Sequence, residues 1–406
     1  MRHPRTAAVV IVLAAALAGC GGAGTEPGGF TYESTLTIYS GLPLQGPLAP
    51  EMRSIVDGEI LALAQAGGRV GHRPISFASL NDVPANGDWD GKEPRAAGQD
   101  LDAIAYIGDF ESAATAVSLP ILGENDILQV SPGSPYVGFT DATPFDQAGE
   151  PESYYPSGKD TFARLIPSDV DEAAATAGFM RDEHVKRLYV LSDTASVSDP
   201  YDSVIAAMVA RDARASGLAV NGPEALDTAQ PDFAALIAAI AASHADAVFL
   251  GAAPDPGAER LWTELHAALP GLRLFAPSTL ATPAFLAATA QSAGATYVTS
   301  PILPLAQYPV AARAVLRAYA AKFGTAPTAL SLYGYEAMQS VLAALAHASD
   351  PADRLDVLKA YFQLGWRDSV IGRYRIEPSG DTTLSRFAGY RVGHAGKLIE
   401  LRSLTG

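Results

Sequence analysis

The chain has 406 residues, a formal net charge of −16 at pH 7 and 48% hydrophobic residues. This length is too great for one ordinary hydrophobic core and predicts two domains. The acidic balance argues against the basic surface that nucleic-acid binding requires, so no nucleic-acid partner is expected.

The first residues have the pattern of an export signal. Arg2 and Arg5 come before an unbroken apolar run at residues 7–18. A positive start, a short apolar stretch and small residues before a cleavage point are typical of a secretory signal peptide. The run is too short to span a bilayer comfortably. We therefore predict that residues 1–19 are removed.

The only cysteine of the chain, Cys20, follows Leu17, Ala18 and Gly19. This is the position that a lipoprotein processing site requires, because cleavage before Cys20 leaves its thiol at the new N-terminus to take lipid. An ordinary signal peptide with an incidental cysteine is the alternative. We expect Cys20 to bind membrane lipid and residues 20–33, which are rich in glycine, to form a flexible tether. The predicted location is the outer face of the bacterial cytoplasmic membrane.

After the tether, short apolar strands alternate with amphipathic helices. The run at residues 50–66 has helical spacing of its apolar residues. Residues 137–160 interrupt the alternation with Pro, Gly, Asp and paired tyrosines, which predicts a surface insertion followed by a crossover. The strands predicted in this part of the chain lie at residues 36–39, 75–77, 103–107 and 127–130.

The alternation begins again after Ser168, a plausible helix N-cap. Such regular alternation predicts parallel sheets with right-handed crossovers, and hence two doubly wound α/β units. The last segments, at residues 371–376, 386–392 and 397–401, predict a small antiparallel set. The other strands are predicted at 188–191, 247–250 and 272–276, and the helices at 201–215, 231–243 and 257–268.

The order of these features resembles the type I periplasmic-binding-protein family, in particular the branched-chain amino acid (leucine/isoleucine/valine) binding proteins of ABC transporters. The resemblance covers nearly all of residues 34–402. It is carried by residues 41–46, the run AGGRVG at 66–71, Ile107-Gly108 with Ser112, Val130-Ser131-Pro132, Phe162-Ala163-Arg164, the run YGYEA at 333–337 and Ser379-Gly380-Asp381.

The resemblance implies two doubly wound, Rossmann-like lobes joined by three crossover segments, with a ligand held in the cleft between them. It implies a first lobe of residues 34–162 plus 298–346 and a second lobe of residues 163–297 plus 347–406. The implied function is solute binding for an ABC-type uptake system, with an ABC transporter permease in the cytoplasmic membrane as partner. No cofactor and no metal are expected.

Four residues of the first lobe are candidate ligand contacts, and three of them lie after predicted strands. Ser112 follows a strand and lies near a helix start, where free backbone N–H groups favour an oxygen atom, although it would also fit a helix cap. The resemblance implies that Ser112 holds the ligand. Ser134 likewise follows the next predicted strand, where backbone N–H groups are also expected to be free for a ligand oxygen. Tyr136 either closes over the site or packs against the insertion.

The second lobe is expected to contribute Tyr201, Asp255 and Ser278. The resemblance implies that Tyr201 covers the ligand, and a surface tyrosine in a loop is the alternative. Glu51, in the first lobe, falls where relatives place a residue near the cleft mouth. It also fits a solvated acid in the first turn of a helix.

Three departures from the leucine-binding pattern bear on the ligand. The chain has Pro135 in place of a threonine, Ala253 in place of a tyrosine and Ser278 in place of a carboxylate. The ammonium of an amino acid needs a paired anion when buried. We therefore expect a small polar ligand that is neutral or anionic, such as an amide or a small carboxylate, unless Glu51 or Asp255 supplies the anion.

Other functional classes have less support. The sequence contains no G-x-S-x-G, H-E-x-x-H or G-x-x-x-x-G-K-[S/T] motif, and the single cysteine lies at the lipid site. An enzyme is therefore not expected, although an exported enzyme is an alternative. A sensor subunit that serves a membrane receptor is another, and the sequence does not separate sensing from transport.

Overall fold

A computed structural model describes residues 35–84, 89–145, 147–194 and 201–406. The predicted signal peptide, Cys20 and the predicted tether lie outside these residues. In the described ranges, no helix has both the length and the apolar character needed to cross a membrane.

Strands and helices alternate through most of the described chain. The strands are β1 (Leu36–Leu42), β2 (Arg69–Val70), β3 (Arg73–Asn81), β4 (Ala103–Ile107), β5 (Leu128–Ser131), β6 (Phe162–Arg164), β7 (Arg187–Asp193), β8 (Ala219–Leu226), β9 (Ala247–Gly251), β10 (Arg273–Ala276), β11 (Thr296–Ser300), β12 (Arg367–Asp368), β13 (Arg373–Tyr374), β14 (Arg386–Val392) and β15 (Leu398–Thr405). The helices are α1 (Ala49–Gln65), α2 (Lys92–Gln99), α3 (Ser112–Glu124), α4 (Asp169–Asp182), α5 (Tyr201–Ala215), α6 (Ala234–Ala242), α7 (Pro256–Ala268), α8 (Pro283–Ala288), α9 (Val310–Phe323), α10 (Leu330–His347) and α11 (Arg354–Phe362).

Two large sheets organise the molecule. The first has the order β2-β3-β1-β4-β5-β6, and the second has the order β15-β14-β11-β10-β9-β7-β8. Apart from β2 in the first sheet and β14 and β15 in the second, the strands of each sheet are parallel. Strands β4 and β9 are buried along their whole length, which accounts for their continuous apolar sequences. The predicted α/β fold of two doubly wound units is confirmed.

The chain passes between the two sheets three times, after β6, after β11 and before β14. Between the last two passages, α10 packs along α1, and α11 packs against α10 and contacts β4 and β5. The helices beside the first sheet therefore extend to residue 362, later in the chain than the boundary expected at 346.

Two features differ from the sequence-based expectations. The C-terminal strands do not form a separate antiparallel set, because β14 pairs with β11 and so extends the second sheet. The segment at 137–160 is not wholly a surface insertion, because Val137, Phe139 and Tyr155 are buried. The Phe139 ring lies edge-on to those of Tyr136 and Phe162, with centroids 5.1 and 5.7 Å away. These aromatic contacts attach the segment to the core.

Helix α1 is held close to α10 by two glycines. A Cβ on Gly58 would lie 2.2 Å from the Ser331 carbonyl oxygen, and one on Gly334 would lie 2.1 Å from that of Ile55. Only glycine permits backbones to approach this closely. The contact fixes α1, whose first turn contains Glu51, against the first lobe.

Candidate functional site

A cavity of about 500 Å³ lies where the carboxyl ends of the two sheets face each other. Ligands of doubly wound sheets bind at this edge, next to the point where the strand order reverses. That point lies between β1 and β4 in the first sheet and between β7 and β9 in the second. The residues that line the cavity are Leu48, Glu51, Met52, Phe110, Glu111, Ser112, Pro132, Gly133, Pro135, Ile166, Tyr201, Ala253, Pro254, Ser278, Thr279, Ala281, Thr282, Pro283, Ser300, Pro301, Ile302, Leu303, Pro304, Leu330, Tyr390, Leu398 and Glu400.

Ser112 lies on this cavity at the first residue of α3. The N-cap of α3 is Glu111, whose side chain makes no capping bond. Ser134 donates its hydroxyl to the Ser112 oxygen at 3.3 Å. The hydroxyl proton of Ser112 is then available for a ligand oxygen, and the first N–H groups of α3 face the same end of the helix.

Ser134 lies behind Ser112 and is not itself a lining residue. The backbone N–H groups of Gly133 and Ser134 both donate to the Ser131 hydroxyl, at 3.2 and 2.9 Å. From the sequence, these N–H groups were expected to be free for a ligand oxygen. The side chain of Ser131 occupies them because its hydroxyl closes a local turn.

Glu51 is in the first turn of α1 and lines the cavity. Its Oε2 atom is buried and has no hydrogen-bond partner in another residue. Burial raises the pKa of the Glu51 carboxyl, and its own backbone N–H lowers it in part. Glu51 is therefore not the freely solvated acid that its helix position alone would allow.

In the second lobe, Tyr201 and Ser278 line the cavity and share one buried partner, Glu172 of α4. The Ser278 backbone N–H donates to Glu172 Oε1 at 2.5 Å, and its hydroxyl donates to Oε2 at 2.8 Å. The Tyr201 hydroxyl donates to Oε2 at 3.4 Å. Burial raises the pKa of Glu172 to about 7, and these hydrogen bonds lower it in part. Glu172 thus orients two residues of the cavity wall.

Two predicted site residues lie elsewhere. Tyr136 is fully buried and donates its hydroxyl to Glu150 Oε2 at 2.5 Å, so it packs with the 137–160 segment. Asp255 is the N-cap of α7, where its Oδ1 accepts the backbone N–H groups of Gly257 and Ala258 at 2.5 and 3.0 Å. Neither is a lining residue.

Several lining residues were not singled out from the sequence. Glu111, Thr279, Tyr390 and Glu400 are the main polar ones. Tyr390 and Glu400 lie on β14 and β15, which only the pairing of β14 with β11 brings to the cavity. No local signal marks them, since each occupies an ordinary strand position.

The described residues contain no group of three or more His, Cys, Asp or Glu side chains arranged to hold a metal ion. None of the described lining residues is Lys, Arg or His. The described part of the cavity wall is mostly apolar, with hydroxyl groups and three glutamates at its polar positions. This composition is typical of a site that binds a small organic molecule.

Residues 41–397 match the family model described as periplasmic binding protein. This match spans most of the chain, and the chain therefore belongs to the periplasmic binding protein family. The chain is 26% identical over 373 residues to the Leu/Ile/Val-binding protein homolog 1 of Brucella abortus. The aligned residues cover 90% of this chain and 92% of the relative.

Solved structures have the same fold. The leucine binding protein LivK of Thermotoga maritima matches with a TM-score of 0.75 at 18% identity, covering 91% of this chain and 99% of that one. A solute binding protein of an ABC transporter from R. palustris, solved in complex with benzoate, matches with a TM-score of 0.68 at 19% identity, covering 91% and 96%. As a member of this family, the chain is a periplasmic binding protein and not an enzyme, and its family works outside the cytoplasm.

Proposed function

We propose that this protein is a lipid-anchored subunit of an ABC-type uptake system on the outer face of the bacterial cytoplasmic membrane. It captures a small polar molecule, in the class of amino acid-like compounds, amides or small carboxylates, and delivers it to a permease. The observation that carries the proposal is the cavity, since residues following strands of both sheets line it. A ligand that contacts both walls favours the closed arrangement of the lobes.

The proposed ligand contacts are Ser112 and Glu51 in the first lobe and Tyr201 and Ser278 in the second. These four polar side chains line the cavity. Glu51 follows β1 and Ser112 follows β4, the two strands at the reversal point of the first sheet. In the second sheet, Tyr201 follows β7, which lies at the reversal point, and Ser278 follows β10. Ser134 supports this set through its hydrogen bond to Ser112.

The membrane anchor rests on the sequence around Cys20. The residues Leu17-Ala18-Gly19-Cys20 directly follow a short apolar run with a positive start. The match to an extracytoplasmic family is in keeping with export of the chain.

A thermal-shift screen of amino acids, amides and carboxylates tests solute capture. A solute at about one hundred times its Kd stabilises the folded state by about 2.7 kcal/mol, which raises the melting temperature by several degrees. Small-angle scattering with the best solute should then show a smaller radius of gyration than with a solute that gives no shift. A complete absence of stabilising solutes, or an unchanged radius at saturation, would contradict the proposal.

A further inference from the structure

The charged side chains among the described residues of the cavity wall are all of one sign. Glu51, Glu111 and Glu400 line the cavity, and the described lining contains no cationic side chain. A ligand with only a negative charge would enter a mostly apolar space without a counter-ion and beside carboxylates. Burying an unpaired charge in this way is costly.

Two of the three glutamates already have partners. Glu400 accepts a hydrogen bond from the Gln307 amide and one from the Ser403 hydroxyl at 3.4 Å. Glu111 also interacts with a neighbouring residue. Glu51 differs, because its Oε2 atom is buried without a hydrogen-bond partner.

From the sequence, Asp255 was the other acidic residue, besides Glu51, that could pair with a cationic group of the ligand. The structure uses its carboxylate to cap α7, and the Thr228 hydroxyl donates to it as well, at 3.3 Å. Glu51 is therefore the candidate that remains on the cavity wall.

The position of Glu51 suits a role in specificity. It follows β1, and Ser112 follows β4, so the two lie on either side of the reversal point of the first sheet. One side chain offers an anion and the other a hydroxyl donor. The apolar wall around them, including Met52, Phe110 and Pro132, suits the uncharged body of a ligand.

We infer that Glu51 determines specificity by binding a positively charged nitrogen of the ligand, so that the preferred ligand is a cation or zwitterion with an ammonium or amidinium group and an apolar body. This inference rests on the proposed function and narrows its ligand class. It differs from the sequence-based expectation of a neutral or anionic ligand because the Oε2 atom of Glu51 lies at the cavity, buried and without a hydrogen-bond partner in another residue.

The test uses sets of compounds that have the same apolar group and differ in their charged groups. The isobutyl set is 3-methylbutylamine, leucine and 4-methylpentanoate, and the phenyl set is 2-phenylethylamine, phenylalanine and 3-phenylpropanoate. We expect a member that contains the ammonium to stabilise the protein more than the carboxylate-only member of its set. Calorimetric titration then gives the Kd of the best binder.

Glu51→Gln removes the charge and keeps the shape of the side chain. We expect it to weaken binding of the best ammonium compound by about tenfold or more, because a charge-assisted hydrogen bond is lost, while the melting temperature without ligand does not fall. Glu259→Gln is the control, because Glu259 is also in the first turn of a helix but does not line the cavity. It should leave the Kd unchanged.

The outcomes separate the inference from the proposed function. Stronger stabilisation by the carboxylate-only compounds, or an unchanged Kd in Glu51→Gln, overturns the inference and leaves solute binding intact. Tight binding of any other screened solute that lacks a positively charged nitrogen also overturns the inference and leaves solute binding intact. If no solute of any charge stabilises the protein, both the inference and the proposed function are wrong.

Discussion

The guanidinium Nε of Arg164 lies 2.7 Å from Oδ1 of Asp381, although 217 residues separate them in the chain. The Arg164 side chain is fully buried and also donates to the carbonyl oxygens of Ser134 and Tyr136, at 3.3 and 2.7 Å. This ion pair connects the end of β6 to the turn before β14. It therefore joins two of the passages between the sheets.

Asp381→Asn should strongly destabilise the fold, since it removes the ion-pair partner of the buried Arg164 guanidinium. We expect the free energy of unfolding to fall by about 3–5 kcal/mol, measured by urea denaturation. Glu377→Gln is the control in the same turn, because Glu377 pairs with Arg375 at 3.4 Å on the surface. Its loss should be about 0–1 kcal/mol. Equal losses in the two variants would show that burial of Arg164 has no special cost.

Glu172 should make stability depend on pH. Its pKa is raised from the ordinary value of 4.5 to about 7 by burial, so the fold favours the protonated carboxyl. The stabilising contribution is therefore complete below about pH 4.5 and is lost as the pH rises through about 7. Glu172→Gln does not titrate, so its stability relative to the wild type should increase over this window by on the order of 3 kcal/mol. Parallel stability curves from pH 4 to 8 would contradict this prediction.

Gly334→Ala should destabilise the contact between α1 and α10. The new Cβ would lie 2.1 Å from the Ile55 carbonyl oxygen, so the helices must separate. We expect a loss of about 1–3 kcal/mol in unfolding experiments. Gly178→Ala in α4 is the matched control, because its added Cβ would have no neighbour within 4 Å apart from the adjacent residues and the backbone of its own helix. It should stabilise the protein by up to about 1 kcal/mol, as alanine favours the helix.

Ser112→Ala should weaken binding of the best solute found by screening. If the hydroxyl donates to a buried ligand oxygen, the loss is about 1–3 kcal/mol by calorimetry. The unliganded fold should be little affected, because the N-cap of α3 is Glu111 and not Ser112. Ser134→Ala retains the Ser112 hydroxyl and should cost less affinity. Unchanged binding in Ser112→Ala would exclude it as a ligand contact.

Cys20→Ser should release the protein from membranes. If the thiol of Cys20 takes lipid, the wild type should sediment with the membrane fraction and the variant should not. Fractionation of expressing cells, with immunodetection of both forms, measures this difference. A wild-type protein found free of membranes after export would contradict the anchor.

Local sequence patterns predicted the centres of both sheets well. Strand β4 and helix α5 have the predicted bounds, because continuous apolar residues and helical spacing are local signals. Strand β8 was missed because it lies at the sheet edge and is mostly exposed, so its sequence lacks an apolar run.

The side-chain pairs that define the site could not be predicted in the same way. In the sequence, Glu172 is only an acid in the first turn of a helix, and its bond to Ser278 spans 106 residues. Arg164 and Asp381 each belong to a segment on which the family resemblance depended, but their pairing became visible only in the fold. Such contacts depend on how distant elements pack, and no local period encodes them.

Six of the described residues that line the cavity are prolines, namely Pro132, Pro135, Pro254, Pro283, Pro301 and Pro304. A proline ring fixes φ, so these parts of the wall have few alternative conformations before a solute arrives. Capture of the solute then requires little additional loss of backbone conformational entropy at these positions. Under the proposed function, a molecule with only a few polar contacts would for this reason bind between the two lobes at a low conformational cost.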